Sequence, residues 1–237
     1  MNDPALRDEQ VRARSIAKYR RRAAQYDASC GPTWPIRLHA IAALRLRAGE
    51  RVLDVGCGTG LSLPLLHQAV GPHGTVYGFD QSPEMIAQAR ARATAAGWTN
   101  VHLFEASAQT LALGEPVDAL LFHYTHDILR SPQALDHLLA LARPGARVAI
   151  AGIKFFPRWL EPLNLWVYLK NHGYNGAPGE LRSPWDRIAP RLTDWHLEPT
   201  QWGMGYLAHG CLPAGAQRAQ TARGAVSAPA PATRGAS

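Results

Sequence analysis

Cysteine is scarce in this chain. Cys30, Cys57 and Cys211 are the only three in 237 residues, with no CxxC pair and no grouping with histidine at zinc spacing, so neither a disulfide framework nor a metal site is expected. Long apolar runs are also missing. None approaches the ~20 residues that span a bilayer, and the polar first ten residues lack the apolar stretch of a secretory signal, which leads to the expectation of a cytoplasmic protein. Acidic charge is short, with 18 acids against 25 bases and a net charge of +7. The excess sits at the ends: residues 1–27 hold seven bases and four acids, and the stretch after Cys211 holds three arginines and no acid. Those ends carry +3 each, leaving +1 for the body, which argues against specific nucleic-acid binding by the core. What remains, 46% hydrophobic and 18% charged, is the composition of a single globular α/β domain.

Into that ordinary background is set Val52-Leu53-Asp54-Val55-Gly56-Cys57-Gly58-Thr59-Gly60, a buried-strand pattern running into three glycines on alternate positions. Such a turn leaves little side chain between the backbone and a ligand. The G-x-G-x-x-G fingerprint fails, because Leu61 or Leu63 occupies the place of its third glycine, and no G-K-[ST] follows Gly60. With Asp54 ahead of the loop and no base within it, a polyphosphate is poorly matched, and a nucleoside without phosphates fits better. A second strand pattern, Thr75 to Phe79, ends in Asp80, twenty residues beyond Gly60, where a βαβ nucleotide site places a ribose-binding carboxylate.

Together with G-F-D-Q-S-P-E-M-I (78–86), V-D-A-L-L-F (117–122) and R-P-G-A-R-V-A-I (143–150), this stretch resembles the ordered motifs of the class I S-adenosylmethionine-dependent methyltransferases. The resemblance runs from about Tyr19 to Gly210. It implies a Rossmann-like, doubly wound, seven-stranded, mainly parallel sheet closed by an antiparallel C-terminal hairpin, with S-adenosylmethionine as cofactor. The expected organisation is a helical leader at 1–30, a methyltransferase domain at 31–211 with an aromatic insertion at about 154–194, and a disordered tail at 212–237.

Element by element, an apolar stripe of Ile16, Tyr19, Ala23 and Tyr26 suggests a leader helix, whose arginine-rich faces permit peripheral contact with an anionic membrane. Helices are expected at 35–46, 61–70, 83–96 and 132–142, the third capped by Ser82 with Pro83 at its first position. Strands are expected at 101–105, 117–122 and 147–153, with the hairpin at 195–199 and 203–209.

On the cofactor side the resemblance implies Gly56, Gly58 and Gly60 against the methionine part and Asp80 on the ribose hydroxyls, with Gln81 lining the same pocket. Ser107, with the backbone of Ala108 nearby, or alternatively Glu105, stands at the adenine, where the family often has an acidic residue, and Phe122 at the end of the fourth strand. Asp54 organises the loop and attracts an ammonium, while Cys57 reads as a small packing residue. Chemistry is expected at Phe122-His123-Tyr124-Thr125-His126-Asp127, with His123 and His126 as candidate bases or pocket walls and Tyr124 shaping the pocket. Asp127 reads as a helix cap or solvated residue.

Absence of a [DN]-P-P-[YF] turn after the fourth strand disfavours a nucleobase acceptor, and the paired-glutamate loop of arginine methyltransferases is missing. The aromatic segment with Phe155, Phe156, Trp159, Trp166, Tyr168, Tyr174 and Trp185 suits a lid over an organic acceptor. The expected activity is methyl transfer to oxygen, nitrogen or carbon of a small molecule. The alternatives are a lipid or prenylated-quinone acceptor at a membrane surface, and a non-catalytic cofactor-binding subunit.

Overall fold

The computed structural model describes residues 27, 30–156, 163–164 and 181–215. The leader, the tail beyond 215 and most of the aromatic insertion, including Trp159, Trp166, Tyr168 and Tyr174, lie outside the described residues.

A 3-10 turn at Gly31–Thr33 leads into α1, Trp34–Ala43, which stops short of the expected Leu46 because Arg45 turns left-handed (φ 46°). Strand β1 (Arg51–Val55) buries both faces from Val52 onward, as a central parallel strand should. Helix α2 (Leu63–Val70) begins two residues later than expected, since Gly60 to Ser62 complete the turn. Strand β2 (Thr75–Asp80) follows. Helix α3 (Pro83–Ala95) starts where Ser82 Oγ accepts the Met85 N–H at 3.3 Å, the expected cap. Then come β3 (Val101–Glu105), β4 (Val117–His123), a short unexpected helix α4 (His126–Arg130) and α5 (Pro132–Ala140), capped by Ser131.

Strand β5 (Ala142–Ile153) begins five residues before the expected Arg147. Arg143-Pro144-Gly145 reads as a turn but continues the strand through a register shift against Val117 and Ala119. Strands β6 (Thr193–Thr200) and β7 (Gly205–Cys211) form the closing hairpin. Leu212 is buried and exchanges backbone hydrogen bonds with Gly145 and Ala146, so it belongs to the domain rather than to a tail.

Among the described residues these strands form one seven-stranded sheet in the order β3-β2-β1-β4-β5-β7-β6. Pairs from β3 through β5 are parallel, and β7 is antiparallel to both β5 and β6. Alternate strand residues feed two core layers. Leu53, Val55, Leu120, Phe122 and Ile150 pack with Ile128 and Leu138 of α4 and α5, while Val52, Val76, Leu121 and Ala149 pack with Leu44, Leu63 and Leu66 on the α1 and α2 side. The order reverses between β1 and β4, and a doubly wound sheet binds its ligand beyond the carboxyl ends at that point.

Candidate active site

At that switch point the turn after β1 is fixed from both sides. The Cys57 N–H donates to Phe79 O at 2.8 Å and the Gly60 N–H to Cys57 O at 3.0 Å, while the Gly58 N–H donates to Asp80 Oδ2 at 3.1 Å. Asp80 Oδ1 also accepts the Ser82 N–H at 2.9 Å. Burial raises the Asp80 pKa against these two bonds, and the nearby Asp127 charge adds to the rise.

The three glycines differ in what surrounds them. A Cβ on Gly56 would lie 2.8 Å from Thr125 Cγ2, and one on Gly60 would lie 2.6 Å from Leu63 Cδ1 and 3.1 Å from Ala89 Cβ. Gly58 has nothing within 4 Å, so its face is the open one. Cys57 is buried against Gly78, and burial pushes its thiol well above the usual range, which keeps it protonated. From outside the loop, Thr59 Oγ1 donates to Asp27 at 2.6 Å, and Asp27 pairs with Arg92 of α3 at 2.6 Å.

Beneath the turn lies a residue that the sequence reading missed. Arg37 of α1 is buried and donates through Nη1 to Ser62 Oγ, and Ser62 in turn bonds the Asp54 carboxyl. Burial raises the Asp54 pKa to about 7 against the pull of Arg37 and Ser62. Arg37 Nε and Asp54 Oδ2 both lack partners. Arg37, Asp54, Gly56, Gly58, Leu61 and His123 line one cleft. A spare cationic donor and a spare carboxyl oxygen in one cleft suit a ligand carrying both a carboxylate and an ammonium. The signal that could have exposed Arg37 is a lone arginine between Ile36 and Leu38 in an otherwise apolar helix face.

Of the other expected cofactor residues, Gln81 has a buried Oε1 without a partner, so it retains capacity for a ligand. Ser107 is buried and its hydroxyl pairs with Thr110 Oγ1 at 2.8 Å, while Ala108 is buried in the core. Phe122 is wholly enclosed among core residues.

Past β4 the expected catalytic residues come together. His123 and Tyr124 lie 4.8 Å apart by ring centroids, and Tyr124 and His126 6.3 Å apart. Tyr124 has left-handed φ (62°) and donates its N–H to Ala151 O at 2.8 Å, so the strain is held by the sheet end. His126 Nε2 accepts the Ile153 N–H at 3.3 Å, and burial lowers its pKa to about 4. Burial and the Arg37 charge push His123 well below the ordinary imidazole range. Both rings are therefore neutral, and burial lifts the Tyr124 phenol to about 12. Asp127 sits exposed in the first turn of α4. Among the described residues no helix is long and apolar enough to cross a membrane, and no group of three His, Cys, Asp or Glu could hold a metal.

Residues 46–172 match a family model described as a methyltransferase domain. The chain is similar to the aklanonic acid methyltransferase DauC of Streptomyces sp. (strain C5), 47% identical over 67% of this chain and 75% of the relative. It is also similar to the demethylmenaquinone methyltransferase of Shouchella clausii (strain KSM-K16), 32% identical over 47% of this chain but only 48% of that relative. The fold is shared with the N-methyltransferase NodS of Bradyrhizobium japonicum WM9 solved with S-adenosyl-L-homocysteine, at a TM-score of 0.61 and 15% identity, covering 84% of this chain and 98% of that one. A doubly wound sheet, a glycine turn at its switch point and these matches agree: the chain belongs to the class I S-adenosylmethionine-dependent methyltransferases.

Proposed function

We propose that this methyltransferase acts on a small organic acid and methylates a carboxylate oxygen. The observation that carries this reading is the state of the imidazoles beside the cleft. His126 has its Nε2 lone pair engaged by Ile153, and His123 is buried beside a cation, so neither is a strong base at neutral pH. A protonated amine, a phenol or a carbon acid must lose a proton before or during attack, which asks for a base near the operating pH. A carboxylate, with an unperturbed pKa near 4, arrives already ionised, and positioning alone then serves. The most extensively matching of the two relatives described is named for an acid acceptor, which supports the same choice.

S-adenosylmethionine, when bound, supplies a methyl group on a sulfonium, which leaves as a neutral thioether once the acceptor oxygen forms its bond to that methyl. Arg37 holds the cofactor's carboxylate through its free Nε, and Asp54 holds the ammonium through Oδ2. Asp80 accepts from the ribose hydroxyls with the lone pairs left by Gly58 and Ser82, and Gln81 takes a further polar contact. Gly56 and Gly60 shape the turn, and Gly58 offers the open backbone face. Ser107 and Ala108 flank the adenine, and Phe122 and Cys57 support the floor by packing. His123 and Tyr124 form the wall between cofactor and acceptor and exclude water.

A quinone acceptor is the second reading, favoured by the demethylmenaquinone methyltransferase similarity. Incubation with methyl-labelled cofactor and separate acid and lipid extracts tests both. Label released as volatile methanol on mild alkali marks a methyl ester and supports the acid reading. Alkali-stable label in the lipid fraction overturns it in favour of the quinone. Transfer to neither extract, with cofactor binding intact, leaves a binding subunit.

A further inference from the structure

Asp27 precedes α1 and the 3-10 turn before it, yet its carboxylate touches the glycine turn. Oδ1 accepts the Thr59 hydroxyl and Oδ2 accepts Arg92 Nη2, each at 2.6 Å. Arg92 closes the ring, because its Nε donates to Thr59 O at 3.2 Å. Thr59 is thereby buried and held by both its polar handles, the hydroxyl by Asp27 and the carbonyl by α3. Spanning a carboxylate and a carbonyl takes the rigid fork of a guanidinium, which a lysine ammonium does not reproduce.

Helix α3 reaches the turn because Gly60 lets it approach. A Cβ on Gly60 would lie 3.1 Å from Ala89 Cβ, and Ala89 and Arg92, three residues apart, share a face of α3. Thr59 also lines the cleft beside Gly58, whose own N–H is spent on Asp80. With hydroxyl and carbonyl engaged, the group Thr59 keeps for a ligand is its N–H, which no hydrogen bond among the described residues uses. The Asp27 and Arg92 side chains are 37% and 32% exposed, so their pairing adds little to global stability. Its geometric effect falls instead on the turn with the open face.

We infer that Asp27 is a positioning residue for S-adenosylmethionine: by bridging Thr59 to Arg92 it fixes the Gly58–Thr59 backbone that the turn presents to the cofactor, and so sets cofactor affinity from outside the cleft. This rests on the placement of the cofactor at the glycine turn and not on the acid-methylating reading. A binding constellation needs its groups held within about 0.5 Å of the productive geometry by neighbours that are themselves locked. The ring of Asp27, Thr59 and Arg92 does that for a backbone group no side-chain packing would otherwise hold.

The test is calorimetry of S-adenosylhomocysteine on the full chain, with denaturant unfolding of the same proteins. Asp27→Ala and Thr59→Val are each expected to weaken binding about tenfold, as loss of a charge-assisted bond that places a ligand-facing group implies, while Asp27→Ala unfolds almost as the unaltered chain does. The double variant loses no more than the larger single loss, because the two residues act as a unit. Thr59→Ser keeps the hydroxyl and with it the affinity. As a control, Asp136→Ala breaks the pair with Arg191 and leaves binding unchanged, so loss of an ion pair is not by itself enough. Full affinity in Asp27→Ala where Gly58→Ala binds weakly, or losses that add in the double variant, overturns the positioning role and leaves the cofactor site standing. Full affinity in both Asp27→Ala and Gly58→Ala overturns the placement of the cofactor and the role with it. Should Asp27→Ala fail to fold, Asp27→Asn decides: weakened binding supports the bridge and full affinity overturns it.

Discussion

Replacing Asp54 by asparagine removes the one carboxyl whose ionisation the cleft opposes most clearly. Its pKa rises from 3.8 unfolded to about 7 folded, so the native state binds more protons than the unfolded chain between those values. Stability therefore falls as pH rises through that window, with a slope of up to about 1.4 kcal/mol per pH unit for one proton. Integrated over roughly three units, the ionised group costs about 4 kcal/mol at pH 8 relative to its protonated form. Asp54→Asn carries no such term. It loses only part of the Ser62 hydrogen bond, so the variant is expected to match the unaltered protein near pH 4 and to be the more stable of the two by about 2–4 kcal/mol at pH 8. The same variant loses cofactor affinity, because the ammonium partner is gone. Denaturant unfolding of both proteins without cofactor, from pH 4.5 to 8.5, reads the difference directly. Parallel stability profiles would refute the assignment of a proton to Asp54 and the linkage built on it.

Four further outcomes follow from the same geometry. Gly60→Ala should lose about 2–4 kcal/mol in denaturant unfolding, because its Cβ meets Leu63 and Ala89 at positive φ. Gly58→Ala should lose only about 1–2 kcal/mol of backbone energy while greatly weakening S-adenosylhomocysteine binding in calorimetry. Ser82→Ala removes the α3 cap, and a loss of about 1 kcal/mol in unfolding free energy is expected. In the kcat–pH profile His126, neutral above about 4, should contribute no inflection near pH 6.5; one that disappears in His126→Gln would show it acting as a base.

What the sequence made legible was local. The β1 glycine turn, Asp80 at the next strand end and the Ser82-Pro83 start of α3 each depend on a few adjacent residues, and each stands where the spacing places it. Helix α4 was not legible, because five residues make less than two turns and carry no period. The early start of β5 was hidden by Pro144-Gly145, a turn signal that persists as a bulge: Gly145 has φ 78°, and the β4 ladder passes from Ala142 directly to Arg147. Arg37 acquires its meaning only when α1 crosses Ser62, twenty-five residues away.

The glycine turn itself shows how residues alike in sequence separate in space. Gly56, Gly58 and Gly60 are indistinguishable by spacing, and all three read as ligand contacts. All three have positive φ, so each satisfies the turn, but the neighbours differ: Thr125 against Gly56, Leu63 and Ala89 against Gly60, open cleft against Gly58. Thr125 and Ala89 arrive from β4's end and from α3, so two of the glycines record how closely distant elements approach the strand end. The turn is thus where the helices are locked to the sheet as well as where the proposed cofactor site opens. A substitution at Gly56 or Gly60 therefore changes binding through the fold, whereas one at Gly58 changes it at the ligand, and unfolding measured beside binding separates the two.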